Sequence, residues 1–207
     1  MAGKAGKGDT MNKNIEDMRT ALKTYKNAKQ SMDKRLEDIQ ARYGDEALKR
    51  EHERLISGLK AAKETAKNAI DAAYLAGIFS VDEWAKLDGG KLTDDAKLLD
   101  AGLVDPENFD RLVDRYQDNA TMLYDLRYYG MRQNAAAMDQ GSDQRYNVDR
   151  IVTASGKKDN WSKAKKTALD LLDAVDGTGR YEDSWNKAIG EAMSDQAIDS
   201  FGTGEAY

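Results

Sequence analysis

Apolar side chains recur every three or four positions between Asn12 and Tyr43 of this chain. Alternating steps of three and four are typical of the heptad pattern of a coiled-coil helix. A helix of that length would extend about 48 Å at roughly 1.5 Å per residue, and its apolar stripe needs another surface to cover it. The series is Ile15, Met18, Leu22, Tyr25, Met32, Leu36, Ile39 and Tyr43, interrupted only at Lys29.

A second apolar series runs from Leu48 to Ala76, and its phase does not continue that of the first. The break falls at Gly44 and Asp45, where glycine can end one helix and aspartate can begin the next. An antiparallel hairpin and one long helix with a local hinge both fit this break, and the coincidence of cap residues with the phase change favours the hairpin. The predicted self-association seam comprises Ile15, Met18, Leu22, Tyr25, Met32, Leu36, Ile39, Leu55 and Leu59.

The composition favours an all-α fold. Of 207 residues, 33% are charged and 40% hydrophobic, and there is one proline. The absence of cysteine excludes disulfides and zinc–thiolate sites. No apolar run approaches the roughly 18 residues that a membrane span needs, and the basic lead at residues 1–11 lacks the apolar region of a secretory signal. We therefore expect a cytoplasmic protein, with residues 1–10 as a stretch that need not be native.

Beyond the hairpin of residues 12–77, capping signals become frequent and the predicted helices become short. Asp105 followed by Pro106 is the best-signalled helix start, and Ser80 with Glu83 forms a capping box. We predict a short-helix subdomain at 78–132, a polar linker at 133–160, a C-terminal helix pair at 161–201 and a frayed tail at 202–207.

The stretch "DNATMLYDLRYYG", residues 118–130, would form a helix with aromatic side chains on two faces. Met122, Leu126 and Tyr129 share one face, whereas Tyr124 and Tyr128 share another. Arginines near them are offset by acidic residues, so stacking on nucleic-acid bases is weakly supported. We predict helix packing for this stretch and retain Tyr124 and Tyr128 as a possible partner surface.

A cluster of lysines surrounds one tryptophan in "GKKDNWSKAKK". Cations at the start of a helix oppose its macrodipole, at a cost of roughly 0.3–1 kcal/mol for each badly placed charge. A solvated face is the favoured interpretation and a phosphate-binding patch is the alternative. The residues are Lys157, Lys158, Trp161, Lys163, Lys165 and Lys166.

Charge is unevenly distributed along the chain, with a net of +5 over residues 1–70 and −10 over the remainder. This polarity suits self-association or a charged partner. His52 is the only histidine and has no partners at metal-ligand spacing. No carboxylate stands in an apolar stretch that would raise its pKa for acid catalysis. We predict no catalytic residue, cofactor or metal.

The lysine-rich first helix, "DAKLLDAG", "DPENFDRLVDRY" and "DNATM" together resemble a group of phage proteins. These are small helical proteins encoded in capsid gene clusters of tailed phages and prophages of Gram-positive bacteria. The resemblance covers residues 12–132 and rests on caps and apolar positions. It implies a scaffold or capsid accessory role in the host cytoplasm or the virion, and it supplies no active-site residues.

The expected function is therefore that of a non-enzymatic phage structural or assembly protein. It would act through helical self-association and contacts with other virion proteins. Two alternatives remain open: a nucleic-acid-binding protein that uses the basic first helix and Lys157–Lys166, and a phage-encoded inhibitor of a host protein.

Overall fold

The computed structural model describes residues 7–43, 45–175, 197, 198 and 201, and their regular structure is entirely helical. The predicted all-α fold class is confirmed. Single 3₁₀ turns occur at Gly89–Lys91 and Val148–Arg150. The α-helices are α1 (Lys7–Tyr43), α2 (Asp45–Trp84), α3 (Asp95–Asp100), α4 (Pro106–Arg115), α5 (Ala120–Asp139) and α6 (Ala154–Val175).

Helices α1 and α2 form the antiparallel hairpin rather than one straight helix. Near the turn, the Arg35 guanidinium lies 2.6 Å from the Glu51 carboxylate. Far from the turn, residues 14–25 of α1 and 62–76 of α2 line one groove together. These two sets of contacts require that the helices run in opposite directions. Each helix thereby covers part of the other's apolar stripe.

The chain divides into two compact units, of which the first comprises residues 1–78 and 159–207. In its described part, α6 packs on the hairpin through the Trp161 ring, which lies against Gly77 of α2. Two ion pairs join the same helices, Lys63 to Asp173 at 2.9 Å and Lys165 to Asp71 at 2.7 Å. The guanidinium of Arg19 donates to the carbonyl oxygen of Phe201, which joins that residue to α1.

The second unit, residues 79–158, has its own apolar core. Asp105 caps α4 by accepting from the Asn108 amide at 2.8 Å, and Pro106 follows at the first helical position, as predicted. Asn119 caps α5 in the same way. The core contains Trp84, Leu99, Val104, Phe109, Leu112, Val113, Met122, Leu123, Leu126, Tyr129, Tyr146 and Ile151.

The structure departs from the sequence prediction at two internal boundaries. Ser80 begins no new helix, because α2 continues through it to Trp84. The stretch 133–160, predicted as a polar linker, contains the end of α5 and the start of α6. Between them, Tyr146 and Ile151 enter the core of the second unit. The sequence did not predict that these two residues are buried, because most of the residues around them are polar.

The ends of the chain differ from the prediction in part. Helix α1 begins at Lys7, inside the lead predicted at 1–11, and α6 begins at Ala154, before the predicted 161. Most of the second member of the predicted C-terminal pair lies outside the described residues, as does the tail at 202–207. None of the described helices has an apolar stretch long enough to cross a bilayer.

Candidate interaction surface

Helix α5 presents two faces of different character. The inner face carries Met122, Leu126 and Tyr129, all buried in the core of the second unit. Gly130 belongs to this face because a Cβ there would lie 2.6 Å from Val148 Cγ1 and 2.9 Å from Phe109 Cζ. This is the helix packing that the sequence predicted for one face of the stretch.

The inner face is fixed by two tyrosines that share one acceptor. Tyr129 and Tyr146 donate their hydroxyl hydrogens to the carbonyl oxygen of Val104, at 2.7 and 2.9 Å. Their rings meet edge to face with centroids 5.6 Å apart. Burial, together with Tyr129, raises the pKa of Tyr146 to about 12. Asn134 exchanges two hydrogen bonds with the Tyr146 backbone, which holds the end of α5 against this loop.

The outer face of α5 is apolar and exposed. Tyr124 and Tyr128 are each 63% exposed, Met131 is 55% exposed and Met138 is 70% exposed. Their spacing of four, three and seven residues, with exposed Ala135 in between, places them in one line along the helix. We call Tyr124, Tyr128, Met131, Ala135 and Met138 the outer stripe. Exposed apolar side chains in one continuous line are characteristic of an interaction site rather than of scattered surface residues.

A shallow groove of about 410 Å³ adjoins the N-terminal end of the outer stripe. We call it the Leu87 groove, after a leucine that is itself more than half exposed. Tyr124 belongs to both surfaces, so the groove extends the apolar strip sideways. Its lining includes Trp84, Leu87, Ala120, Tyr124, Arg127 and Val152.

Charged residues border the outer stripe. Asp125 and Arg132, seven residues apart, lie on one edge, and Arg127 lies on the other. Burial and the nearby Asp100 raise the pKa of Asp125, whereas Arg132 opposes that shift. The Arg132 guanidinium lies 5.9 Å from the centroid of the Tyr129 ring. Among the described residues, neither Asp125 nor Arg132 has an oppositely charged group within 4.0 Å.

The lysine cluster does not form one patch around an accessible tryptophan. Trp161 is buried, so its ring is unavailable for stacking on a ligand. Lys158 pairs with Asp82 at 2.5 Å, and Lys165 pairs with Asp71 while lying over the Tyr74 ring. Lys157 lies 4.5 Å from the centroid of the Trp84 ring, and its burial lowers its pKa. Only Lys163 and Lys166 of the cluster remain exposed.

The predicted seam is used for packing inside one chain. Ile15, Met18, Leu22 and Tyr25 are buried in the first unit. Met32, Leu36, Ile39, Leu55 and Leu59 are half-buried in the hairpin. In this conformation the first four cannot meet a second copy unless the unit opens.

A groove of about 750 Å³ lies between α1 and α2. Ala62, Ala66, Ala69 and Ala73 line one wall and small or polar residues of α1 line the other. The amide nitrogen of buried Asn14 has no hydrogen-bond partner there. Unlike the outer stripe, this groove carries few large apolar side chains to anchor a partner.

Groups of side chains that could hold a metal ion are absent from the described part of the chain. No group of three or more acidic or histidine side chains there is placed to hold a metal ion. His52 is exposed on α2.

Sequence reasoning identified Tyr124 and Tyr128 but missed the rest of the outer stripe. Met131, Ala135 and Met138 continue the same spacing. The boundary that we predicted at residue 132 cut this periodic series in two. Continuing the helical wheel from Tyr128 through Met131 and past that boundary would have identified Ala135 and Met138 as members of the same exposed line.

Comparison with family models, with curated proteins and with solved structures returned no match for this chain.

Proposed function

We propose that this protein is a non-enzymatic assembly protein that acts through helix-mediated contacts with itself and with virion proteins during phage head formation. The observation that supports it most strongly is the outer stripe, about four turns of exposed apolar surface on a helix whose other face is buried in a core. A rigid helix that presents a line of anchors suits partner binding by helix-to-helix packing. The resemblance to proteins of capsid gene clusters supplies the phage context.

A nucleic-acid function has less support. It would need exposed cations beside accessible aromatic rings. In the lysine cluster the tryptophan is buried and two lysines are paired with aspartates. The outer stripe has accessible tyrosines, yet Asp125 accompanies its arginines.

The test is a Tyr128→Asp substitution in the phage or prophage that carries the gene. Burying an aspartate in a helix interface removes an anchor and adds an unpaired charge, so we expect DNA-filled heads to fall at least about tenfold. Electron microscopy of induced lysates measures this count. Because Tyr128 is exposed, circular dichroism of the purified variant should match the unsubstituted protein.

Leu103→Asp is the matched control, since Leu103 is 71% exposed and lies outside α5. We expect head counts to stay unchanged in this variant. Normal head counts after deletion of the whole gene would contradict the assembly function.

A further inference from the structure

The outer stripe runs along a helix whose two edges carry different groups, and this asymmetry selects its partner. One edge carries Asp125 and Arg132, and the other carries Arg127, Asn134 and the side of the Leu87 groove. When two copies of one helix pack antiparallel about a twofold axis, each edge meets the same edge of the other copy. Two copies can then complement each other only if the groups on each edge attract the groups on the same edge of the second copy, which runs in the opposite direction.

We infer that the outer stripe binds the outer stripe of a second copy, antiparallel, in a twofold-symmetric dimer; this inference rests on the proposed assembly function. The register follows from the stripe itself. With Tyr128 opposite Met131 of the second copy, Tyr124 comes opposite Ala135, so that each large side chain packs beside a smaller or more flexible one. The apolar line then runs continuously across the axis.

This register pairs the free charges on the first edge. Asp125 and Arg132 of the second copy are offset by two residues, about 3 Å along the helix axis at roughly 1.5 Å per residue, which is within reach of an arginine side chain. Symmetry gives the pair twice. In a parallel twofold arrangement each edge would instead meet the opposite edge of the second copy, with Asp125 near Arg127 and Arg132 near Asn134, so only the antiparallel arrangement pairs Asp125 with Arg132.

The same register pairs the second edge. Met138 of one copy comes within one residue of Ala120 of the other along the helix axis, beside the Leu87 groove, which offers about 410 Å³ next to Tyr124. The flexible methionine side chain is suited to fill an irregular apolar space of this kind. Arg127 comes two residues from Asn134 of the second copy, the same offset as that of Asp125 and Arg132 on the first edge, and five residues, about 7.5 Å along the helix axis, from Arg127 of the second copy.

The contact is modest in size, which determines how it should be measured. A stripe of four large side chains with the adjoining groove presents on the order of 500 Å² per copy, below the roughly 800 Å² per partner of a standard interface. We therefore expect a reversible dimer with a Kd on the order of 10 µM. Sedimentation equilibrium of the full chain between about 1 and 300 µM covers this range.

Charge reversal tests the pairing directly. Asp125→Arg and Arg132→Asp each place like charges together twice, so each should raise the Kd about tenfold or more. Mixing the two variants restores both pairs in a heterodimer, and the double variant D125R/R132D restores them in a homodimer. Both should dimerise within about threefold of the unsubstituted Kd. Leu103→Asp, outside the stripe, should leave the Kd unchanged.

A monomer throughout the concentration range would overturn the inference, as would a mixture of the two variants that stays monomeric. These outcomes are distinct from failure of the assembly function. A monomeric protein whose Tyr128→Asp variant still loses heads has another virion protein on the stripe. A dimer whose stripe variants form normal heads supports the dimer and contradicts the assembly function.

Discussion

At the scale of single residues, Gly77 lies where helices α2 and α6 approach closely. A Cβ at Gly77 would lie 2.4 to 2.7 Å from three atoms of the Trp161 indole ring. The absence of a side chain lets α6 place its largest residue directly against the α2 backbone. Gly58, on the same helix, has open space around it. The two positions look alike in the sequence and differ only in their distant neighbours.

We predict that Gly77→Ala destabilises the protein by about 1–3 kcal/mol, because an overpacked methyl group forces the indole ring or α6 to shift. Gly58→Ala should instead stabilise it by up to about 1 kcal/mol, through the higher helix propensity of alanine alone. Urea unfolding followed by circular dichroism measures both changes. Equal effects at the two positions would contradict the close packing of Trp161 on α2.

At the scale of elements, local signals predicted helix starts well where the stabilising group lies within a few residues. Asp105 and Pro106 are one such case, because the cap bonds to Asn108. The signal at Ser80 failed because α2 continues in phase through Gly77, Val81 and Trp84, which are buried. Burial of residues spaced three and four apart stabilises the continuous helix more than a side-chain cap at Ser80 would stabilise a new helix start.

Capping gives a prediction that compares two helix starts in the second unit. Asp105→Ala removes the acceptor for the Asn108 amide and should destabilise that unit by about 1 kcal/mol. Asp94→Ala should change stability by no more than about 0.5 kcal/mol, since Asp94 precedes α3 without a side-chain cap and its ion pair with Lys97 is exposed. Thermal unfolding of both variants tests this. Similar losses would mean that the cap at α4 contributes nothing specific.

At the scale of the whole molecule, the features that the sequence did not predict depend on contacts between residues that are far apart in the sequence. The hairpin could be read from Gly44 and the phase change. The lysines of α6 could not be interpreted, because Asp71 and Asp82 belong to α2 and precede them by most of the second unit. The sequence likewise places Tyr146 in a polar loop. Only the structure shows its hydrogen bond to the Val104 carbonyl oxygen and its ring contact with Tyr129.

The second unit should fold as an isolated fragment of residues 79–158. Its core residues all lie between Trp84 and Ile151, so excision removes none of them. We predict a cooperative thermal transition for this fragment. Phe109→Ala should abolish it, because truncating a fully buried phenylalanine costs about 3–5 kcal/mol. A fragment that gives only a broad, non-cooperative transition would show that the core depends on the rest of the chain.

The discontinuous first unit imposes an order on folding during synthesis. Trp161 packs against the hairpin, and Ala168 and Leu172 are buried in the same unit, yet all three leave the ribosome only after all eighty residues of the inserted unit. The long helices at the amino end must therefore wait with part of their apolar surface uncovered while the inserted unit matures. Nascent chains stalled before α6 should be the form most prone to aggregation and most in need of chaperones.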